Sequence, residues 1–362
     1  VPAVFRFFRA LFLITAILAV IATAAFMLLS SEIRRPGGDD DTPIEFVVEA
    51  GENTNAIAAR LAELKLVRQP LLFVALARMQ NLDDKLQAGN FLLRQTMTMN
   101  EIMIALQQAR VKEVQITVIE GMRLEQIAEV VGAAGFLNIT EPMALRAFQS
   151  GARFKAGHVY LESLPADATL EGYLFPDTYR LNETATITDV VDLLIGHFEE
   201  QYATIDREVQ VPDVTVHNLV TMASIIQREA TREDEMALIS AVFWNRLKPE
   251  NIGETGGGKL QSDPTVQYIL GQPGEWWPKL DNLTIDEING APGLYNTRVQ
   301  NGLPPGPISA PGLAALRAAA RPDATANYLY FVAKCGAPGQ HNFAASYDEF
   351  LTYEQEYLSC AP

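Results

Sequence analysis

The chain has 362 residues, 48% hydrophobic and 20% charged, a globular mixture able to bury real cores rather than a disordered chain. Its net charge of −16 repels phosphate backbones and argues against nucleic acid as a partner. With 2 cysteines and 4 scattered histidines, none in an HExxH or HxH arrangement, neither a cysteine-rich framework nor a zinc site is expected, and no metal or cofactor is implied.

Residues 10–29 carry no charge. At 1.5 Å per residue such a run spans roughly 30 Å, the thickness of a bilayer's hydrocarbon core. Arg6 and Arg9 precede it and Arg34 and Arg35 come after it, so the positive-inside comparison is close to balanced. Long domains translocate largely regardless of loop charge, which favours export of the C-terminal part. The alternative is a cleaved signal peptide with Ala22-Thr23-Ala24 as the small-residue site, although the apolar run continues past it. The expected layout is a cytoplasmic N-terminus at 1–9, a single transmembrane helix at 10–30 and a linker at 31–43. Within that linker, residues 36–41 have the Pro, Gly and Asp content of a solvated segment. Either reading of the apolar run places residues 40–362 outside the cytoplasm. Cys335 and Cys360 then form a disulfide or remain two free thiols, because spacing does not give their distance.

The exported part opens with a strand at 44–48, a turn at Gly51 and a helix at 54–64 carrying Ile57, Ala58 and Leu61 at helical spacing. A second helix at 70–79 and a return strand at 89–93 complete a small α+β module, placed at 44–110. This strand–helix–helix–strand order resembles a LysM-like domain, and such domains bind polymers containing N-acetylglucosamine. The opening recurs seventy residues later: Phe46, Val48, Gly51, Ile57, Ala58 and Leu61 align with Ile116, Val118, Gly121, Ile127, Ala128 and Val131. A second small βα module is therefore expected at about 111–165, within a mixed α+β region running from 111 to 362.

From about Asp213 the pattern turns helical, with Leu219, Met222, Ala223, Ile226 and Ala230 on one face. Thr231 and Asp234 give a weak start signal for a further helix, whose core residues are Leu238, Ile239, Val242 and Phe243. Loops dense in glycine and proline come next. Residues 253–259 fit the GxxxxGK spacing, but Leu260 stands where a P-loop needs Ser or Thr, and no strand-to-helix context surrounds it. A flexible glycine loop is the better reading.

Glu229 lies three, four and seven residues after Ile226, Ile225 and Met222, on the apolar face of its helix. A carboxylate there is paired with an arginine or desolvated, and desolvation raises its pKa toward the value a general acid needs. Arg228, Arg232 and Arg246 are the available partners.

Several separated stretches occur in a recognisable order: LEGYLFPDTY at 170–179, ASIIQRE at 223–229, FWNRL at 243–247, LQSDPTV at 260–266, YNT at 295–297, GLPPGPI at 302–308, YLYFV at 328–332 and HNF at 341–343. Together they resemble the YceG-like (MltG-type) endolytic murein transglycosylases, from the anchor to the C-terminus. The resemblance implies an α+β fold with a transmembrane helix, a LysM-like module and a catalytic domain. It also implies a lyase that cuts the β-1,4 bond between N-acetylmuramic acid and N-acetylglucosamine within glycan strands. Glu229 matches the family's catalytic acid. A protonated Glu229 would donate to the glycosidic oxygen, then accept the proton of the muramic 6-hydroxyl as that oxygen closes a 1,6-anhydro ring. Gln227 stands where the family has a further glutamate, and Arg298 where YNTY ends in tyrosine.

The implied partners are peptidoglycan strands, a membrane crossed once, and peptidoglycan synthases, near which such an enzyme would terminate elongation. The candidate substrate-facing residues are Gln261, Asn296, Tyr295, Ser224, Asp263 and Glu171. For each an ordinary role stays open: loop bracing for Gln261 and Asn296, a turn cap for Asp263, a salt bridge for Glu171 and Asp177, and backbone satisfaction for Ser224. For Tyr295 and the Trp276-Trp277 pair, sugar stacking competes with core packing. The competing functions are a hydrolytic muramidase and a non-catalytic wall-binding scaffold.

Overall fold

The computed structural model describes residues 2–49, 51–82, 86–107, 112–205 and 209–360, with side chains from Leu13 onward except Ala25. Arg6 and Arg9 therefore lie outside the described side chains, and the expected 110/111 module boundary falls outside the described residues. The chain divides into two compact units, residues 1–112 and 113–362.

The first unit begins with α1 (Pro2–Ile33), which extends past the apolar run at both ends. Its segment Leu13–Ile33 is long and apolar enough to cross a membrane, and Ile17, Ile21, Phe26 and Leu28 are all exposed. An apolar surface on every side, left bare of protein, suits lipid rather than a core.

Next come β1 (Ile44–Val48), α2 (Thr54–Glu63), α3 (Pro70–Met79), β2 (Gly89–Leu93) and α4 (Met99–Ala105). The strands pair antiparallel with Phe46 opposite Phe91. Helix α2 starts where the Asn53 side chain accepts the Ala56 N–H, and α3 starts with Pro70 at its first position, where no N–H is needed. Ile57, Ala58, Leu61, Phe73 and Ala77 meet Phe46 and Phe91 in one core. Helix α4, capped by the reciprocal Thr98 and Glu101 bonds, adds Ile102 and Met103 to it. The linker is less solvated than its composition suggests. The Gly38 N–H donates to the Gln95 carbonyl at 3.0 Å, and a β-carbon at Gly37 would collide with the Lys65 and Leu66 carbonyls. A glycine allows that approach.

The second unit repeats the plan. β3 (Glu113–Thr117), α5 (Leu124–Ala133), α6 (Glu141–Phe148) and β4 (Thr178–Asn182) form a strand–helix–helix–strand, with Ile116 opposite Tyr179. Ile116, Val118, Ile127, Ala128 and Val131, aligned by the seventy-residue repeat, are all buried, as are their counterparts in the first unit. The return strand lies beyond residue 165. Short 3₁₀ turns and the 170–177 stretch are inserted before it, which the repeat could not reveal.

Beyond it are α7 (Ile187–Ala203), α8 (Val216–Glu229), α9 (Met236–Leu247), α10 (Asp263–Leu270), α11 (Ile285–Gly290) and α12 (Leu313–Ala320). A hairpin of β5 (Tyr330–Ala333) and β6 (His341–Ala344) and then α13 (Tyr347–Cys360) end the fold. Helix α8 packs against both α9 and α12 and is buried all round from Leu219 to Ile226, not on one face only. Its polar residues are satisfied internally: Thr221 Oγ1 donates to the His217 carbonyl and Ser224 Oγ to the Thr221 carbonyl, each at 2.7 Å.

The start signal read at Thr231 and Asp234 is not realised. Asp234 pairs with Arg232 at 2.7 Å, and α9 begins after a 3₁₀ turn at Glu233–Glu235. Of its expected core residues, Ile239, Val242 and Phe243 are buried while Leu238 is half-buried. The glycine-rich 253–259 segment is a loop with Gly256, Gly257 and Gly258 all at positive φ, and it opens no helix.

Candidate active site

Glu229 is the last residue of α8, because Ala230 turns to extended geometry at ψ 124°. The negative end of the helix dipole therefore falls beside this carboxyl group and disfavours its ionised form. The side chain opens onto a cleft of about 450 Å³ shared with Gln261, Asp263 and Arg298. β5 and α13 also line it, through Tyr330, Phe331, Tyr347 and Phe350.

Ser262 Oγ donates to Glu229 Oε1 at 2.6 Å. No arginine pairs with Glu229 among the described residues. Arg228 lies over the Trp277 ring at 3.9 Å, Arg232 pairs with Asp234, and Arg246 donates to the Lys259 and Leu329 carbonyls and to Gln261 Oε1. Each arginine the sequence offered is thus committed elsewhere. Burial pushes the Glu229 pKa up to about 7, opposed by the Ser262 hydroxyl, raised further by Asp263, and lowered by Arg228 and Arg298. Near neutral pH such a group exists in both forms, as a group that first gives and then takes a proton requires.

Asp263 Oδ1 accepts from Arg298 at 2.6 Å, so the charge nearest Glu229 is itself held by a guanidinium. This arrangement predicts two opposite shifts in the pH profile of cleavage. Ser262→Ala removes the donor that favours the carboxylate, so the limb where activity falls with rising pH moves to higher pH. Asp263→Asn removes a like charge and leaves Arg298 uncompensated, so that limb moves to lower pH. Profiles that shift together, or not at all, contradict this placement of Glu229.

Gln261 sits at φ +57°, a strained conformation for a residue with a side chain, and it is held there by Arg246 and by its N–H on the Thr297 carbonyl. The structure thus brings Glu229, Gln261 and Asp263 to one cleft. It places the other candidates elsewhere. Asn296 is buried, and its amide donates to the Ile288, Asn289 and Ala291 carbonyls, the bracing role. Ser224 is buried and accepts the Ile308 N–H, so it serves the backbone of α8 and of the 302–308 loop. Tyr295 packs on Tyr268, with ring centroids 5.0 Å apart. Trp276 and Trp277 lie near the Arg123 guanidinium. Their indole N–H groups donate to Glu129 and Gln126.

Glu171 is buried where its carboxylate accepts the Leu124 N–H at the start of α5 and the Tyr268 hydroxyl. Burial pushes its pKa up to about 8, partly opposed by the Leu124 N–H. The unfolded chain titrates such a group near 4.5. The stability that this group contributes is therefore fully present below that pH and is lost as pH rises from about 4.5 to about 8. Thermal melts across this window should show the decline in the parent chain and a flatter profile in Glu171→Gln. Asp177 accepts from His197 Nε2 at 2.9 Å and belongs to the same scaffold.

Gln227 does not enter the cleft. Its Oε1 accepts the Gly312 N–H at 2.9 Å, and its amide donates to Glu120 at 3.3 Å. A glutamate there would set two carboxylates side by side. His217 is also structural. Its Nε2–H donates to the Pro305 carbonyl at 2.9 Å, which leaves Nδ1 to accept the buried Tyr173 hydroxyl at 3.1 Å. Tightening this junction, Gly172 at φ +84° lies so close to Pro307 that no side chain fits.

Sequence reasoning did not assign Ser262 a role in holding Glu229, nor the β5 and α13 wall a role in the cleft. Ser262 is inside the LQSDPTV stretch, but the backbone turn that aims it is not visible in composition. Cys335 and Cys360 are joined as a disulfide with Cα atoms 6.1 Å apart, tying the hairpin to the end of α13 and settling the open alternative.

The YceG-like family profile matches residues 46–356. An endolytic murein transglycosylase of Bacillus subtilis is 30% identical over 349 residues, covering 94% of this chain and 92% of that protein. One of Streptococcus pneumoniae is 30% identical over 308 residues, covering 79% of this chain, which spans only 53% of the pneumococcal protein's length. The crystal structure of a YceG-like protein from Listeria monocytogenes superposes with a TM-score of 0.56 at 27% identity, covering 86% of this chain and 99% of that one.

Proposed function

The chain belongs to the YceG-like family, and on that premise we propose that it is a membrane-anchored endolytic lytic transglycosylase of peptidoglycan. The observation that carries the reading is a protonatable carboxyl group, Glu229, at the end of α8, opening on a cleft and paired with no arginine among the described residues, while the neighbouring Asp263 is held as a carboxylate partner by Arg298. Hydrolytic glycosidases use two carboxylates, one to activate water or attack the sugar. A transglycosylase needs one group acting twice. Glu229 protonates the oxygen between muramic acid and glucosamine as that bond breaks. The carboxylate left behind takes the proton of the muramic 6-hydroxyl as its oxygen bonds to the anomeric carbon. The glucosamine end leaves with a free 4-hydroxyl, the muramic end becomes a 1,6-anhydro ring, and Glu229 ends protonated with no water consumed.

The cleft-lining Gln261, Asp263 and Arg298 supply the polar contacts that orient the sugar. Helix α1 anchors the enzyme, with residues 40–362 on the extracytoplasmic side beside nascent glycan. There the strand–helix–helix–strand of the first unit acts as a LysM-like glycan-binding module, and cleavage near the synthases ends strand elongation. The test is the length distribution of uncrosslinked strands treated with the detergent-solubilised chain. Internal cutting shortens the long strands early, before disaccharides accumulate. Stepwise release of disaccharides from intact long strands contradicts the endolytic reading.

A further inference from the structure

The stacking candidates offered by the sequence are occupied: Tyr295 lies against Tyr268, and Trp277 lies under the Arg228 guanidinium. The cleft has an aromatic wall of its own. Tyr330, Tyr347 and Phe350 form a mutual cluster, with centroids 5.8, 5.4 and 6.0 Å apart, and all three line the same cleft as Glu229. Tyr330 is anchored, since its hydroxyl donates to the Glu254 carbonyl at 3.3 Å and the Arg246 guanidinium lies 5.3 Å from its ring. Phe350 is half-buried behind it, in the small core with Leu329 and Ala344. Tyr347 differs. It is the first residue of α13 and is 52% exposed, although its ring is backed by the other two. A ring held on one side and bare on the other is a surface awaiting a flat apolar partner.

We propose that Tyr347, backed by Tyr330 and Phe350, is a sugar-stacking subsite for the glycan strand whose bond Glu229 breaks. This rests on the reading of the cleft as a glycan site and names which wall grips the strand. A pyranose ring presents one face of C–H groups and an edge of hydroxyl and acetamido groups. The cleft lining supplies both kinds of group, the aromatic rings of β5 and α13 together with the polar Gln261, Asp263 and Arg298. Such a contact carries binding through the face of the ring rather than proton transfer. The hydroxyl of Tyr347 is not required, only its ring. The disulfide matters to the same surface, since it ties the helix that carries Tyr347 to the hairpin that carries Tyr330.

The test compares Tyr347→Ala and Tyr347→Phe in the full detergent-solubilised chain, using uncrosslinked glycan strands. Tyr347→Ala should raise KM roughly tenfold, as loss of an anchoring aromatic does, with kcat little changed. Tyr347→Phe should restore the parent KM. The Kd for the same strands, measured by calorimetry in the Glu229→Gln background, should weaken by the same factor for Ala and not for Phe. A parent KM and Kd in Tyr347→Ala, or a defect equally present in Tyr347→Phe, overturns the subsite. Failure of the parent chain to cut strands overturns the functional reading instead, and the binding comparison still decides the subsite.

Discussion

Glu229→Gln eliminates strand cleavage, lowering the rate by at least a hundred- to ten-thousand-fold, the contribution typical of one general acid–base group. The expectation comes from the site's geometry. The amide keeps the shape of the carboxyl group, and its oxygen can still accept the Ser262 hydroxyl that now sits 2.6 Å from Glu229. The fold around it should be unperturbed, because α8 is held by Leu219, Met222, Ile225 and Ile226 rather than by this side chain. Only the proton is lost. Circular dichroism and glycan binding should match the parent chain, and only turnover should fall. Substantial residual cleavage would place the acid elsewhere in the cleft.

The second large effect concerns the aromatic wall. Cys335 and Cys360 close a loop with a sequence separation of 25. In the chain-entropy account a loop of that length is worth about 3.5 kcal/mol. Replacing both cysteines by serine should therefore destabilise the end of the second unit by up to that amount. Helix α13 buries none of its residues fully, so it depends on the tie more than an interior helix would. The serine pair should be cut earlier in limited proteolysis within residues 345–360. Its KM for glycan should rise, because Tyr347 and Phe350 no longer stand fixed beside Tyr330. The parent chain treated with a dithiol reductant should behave in the same way. Identical proteolysis and KM with and without the bond would show that the hairpin core of Leu329, Tyr330 and Ala344 holds the wall by itself.

The local elements of the first module were legible because its signals are local. Pro70 marks a helix start, and the short apolar runs at 44–48 and 89–93 mark two strands that pair residue for residue. The repeat at 116–131 was legible for the same reason, whereas its return strand was not. β4 comes from the 170–182 stretch, far along the chain, where aromatic and proline content hides the alternation. At the site, helical spacing set Glu229 beside the apolar residues of α8, which the fold buries on every side from Leu219 to Ile226. The spacing could not say that every nearby arginine is committed elsewhere, because Arg228 goes to the Trp277 ring and Arg246 to the Leu329 carbonyl, both distant in sequence. Asn296 illustrates the converse. An amide in a loop reads as a ligand-binding group until the three carbonyls it satisfies are seen. The aromatic wall was the least legible part, since Tyr347 and Phe350 share one turn of α13 but meet Tyr330 only through the hairpin, far from them in sequence.

In the proposed mechanism the bond is broken by one carboxyl group and the sugar's own hydroxyl, without water. Digestion of uncrosslinked strands in water enriched in oxygen-18, with mass spectrometry of the new ends, tests it most directly. The muramic ends should be in the 1,6-anhydro form with no heavy oxygen incorporated. Reducing ends carrying one oxygen-18 per cut would contradict it and identify a hydrolase.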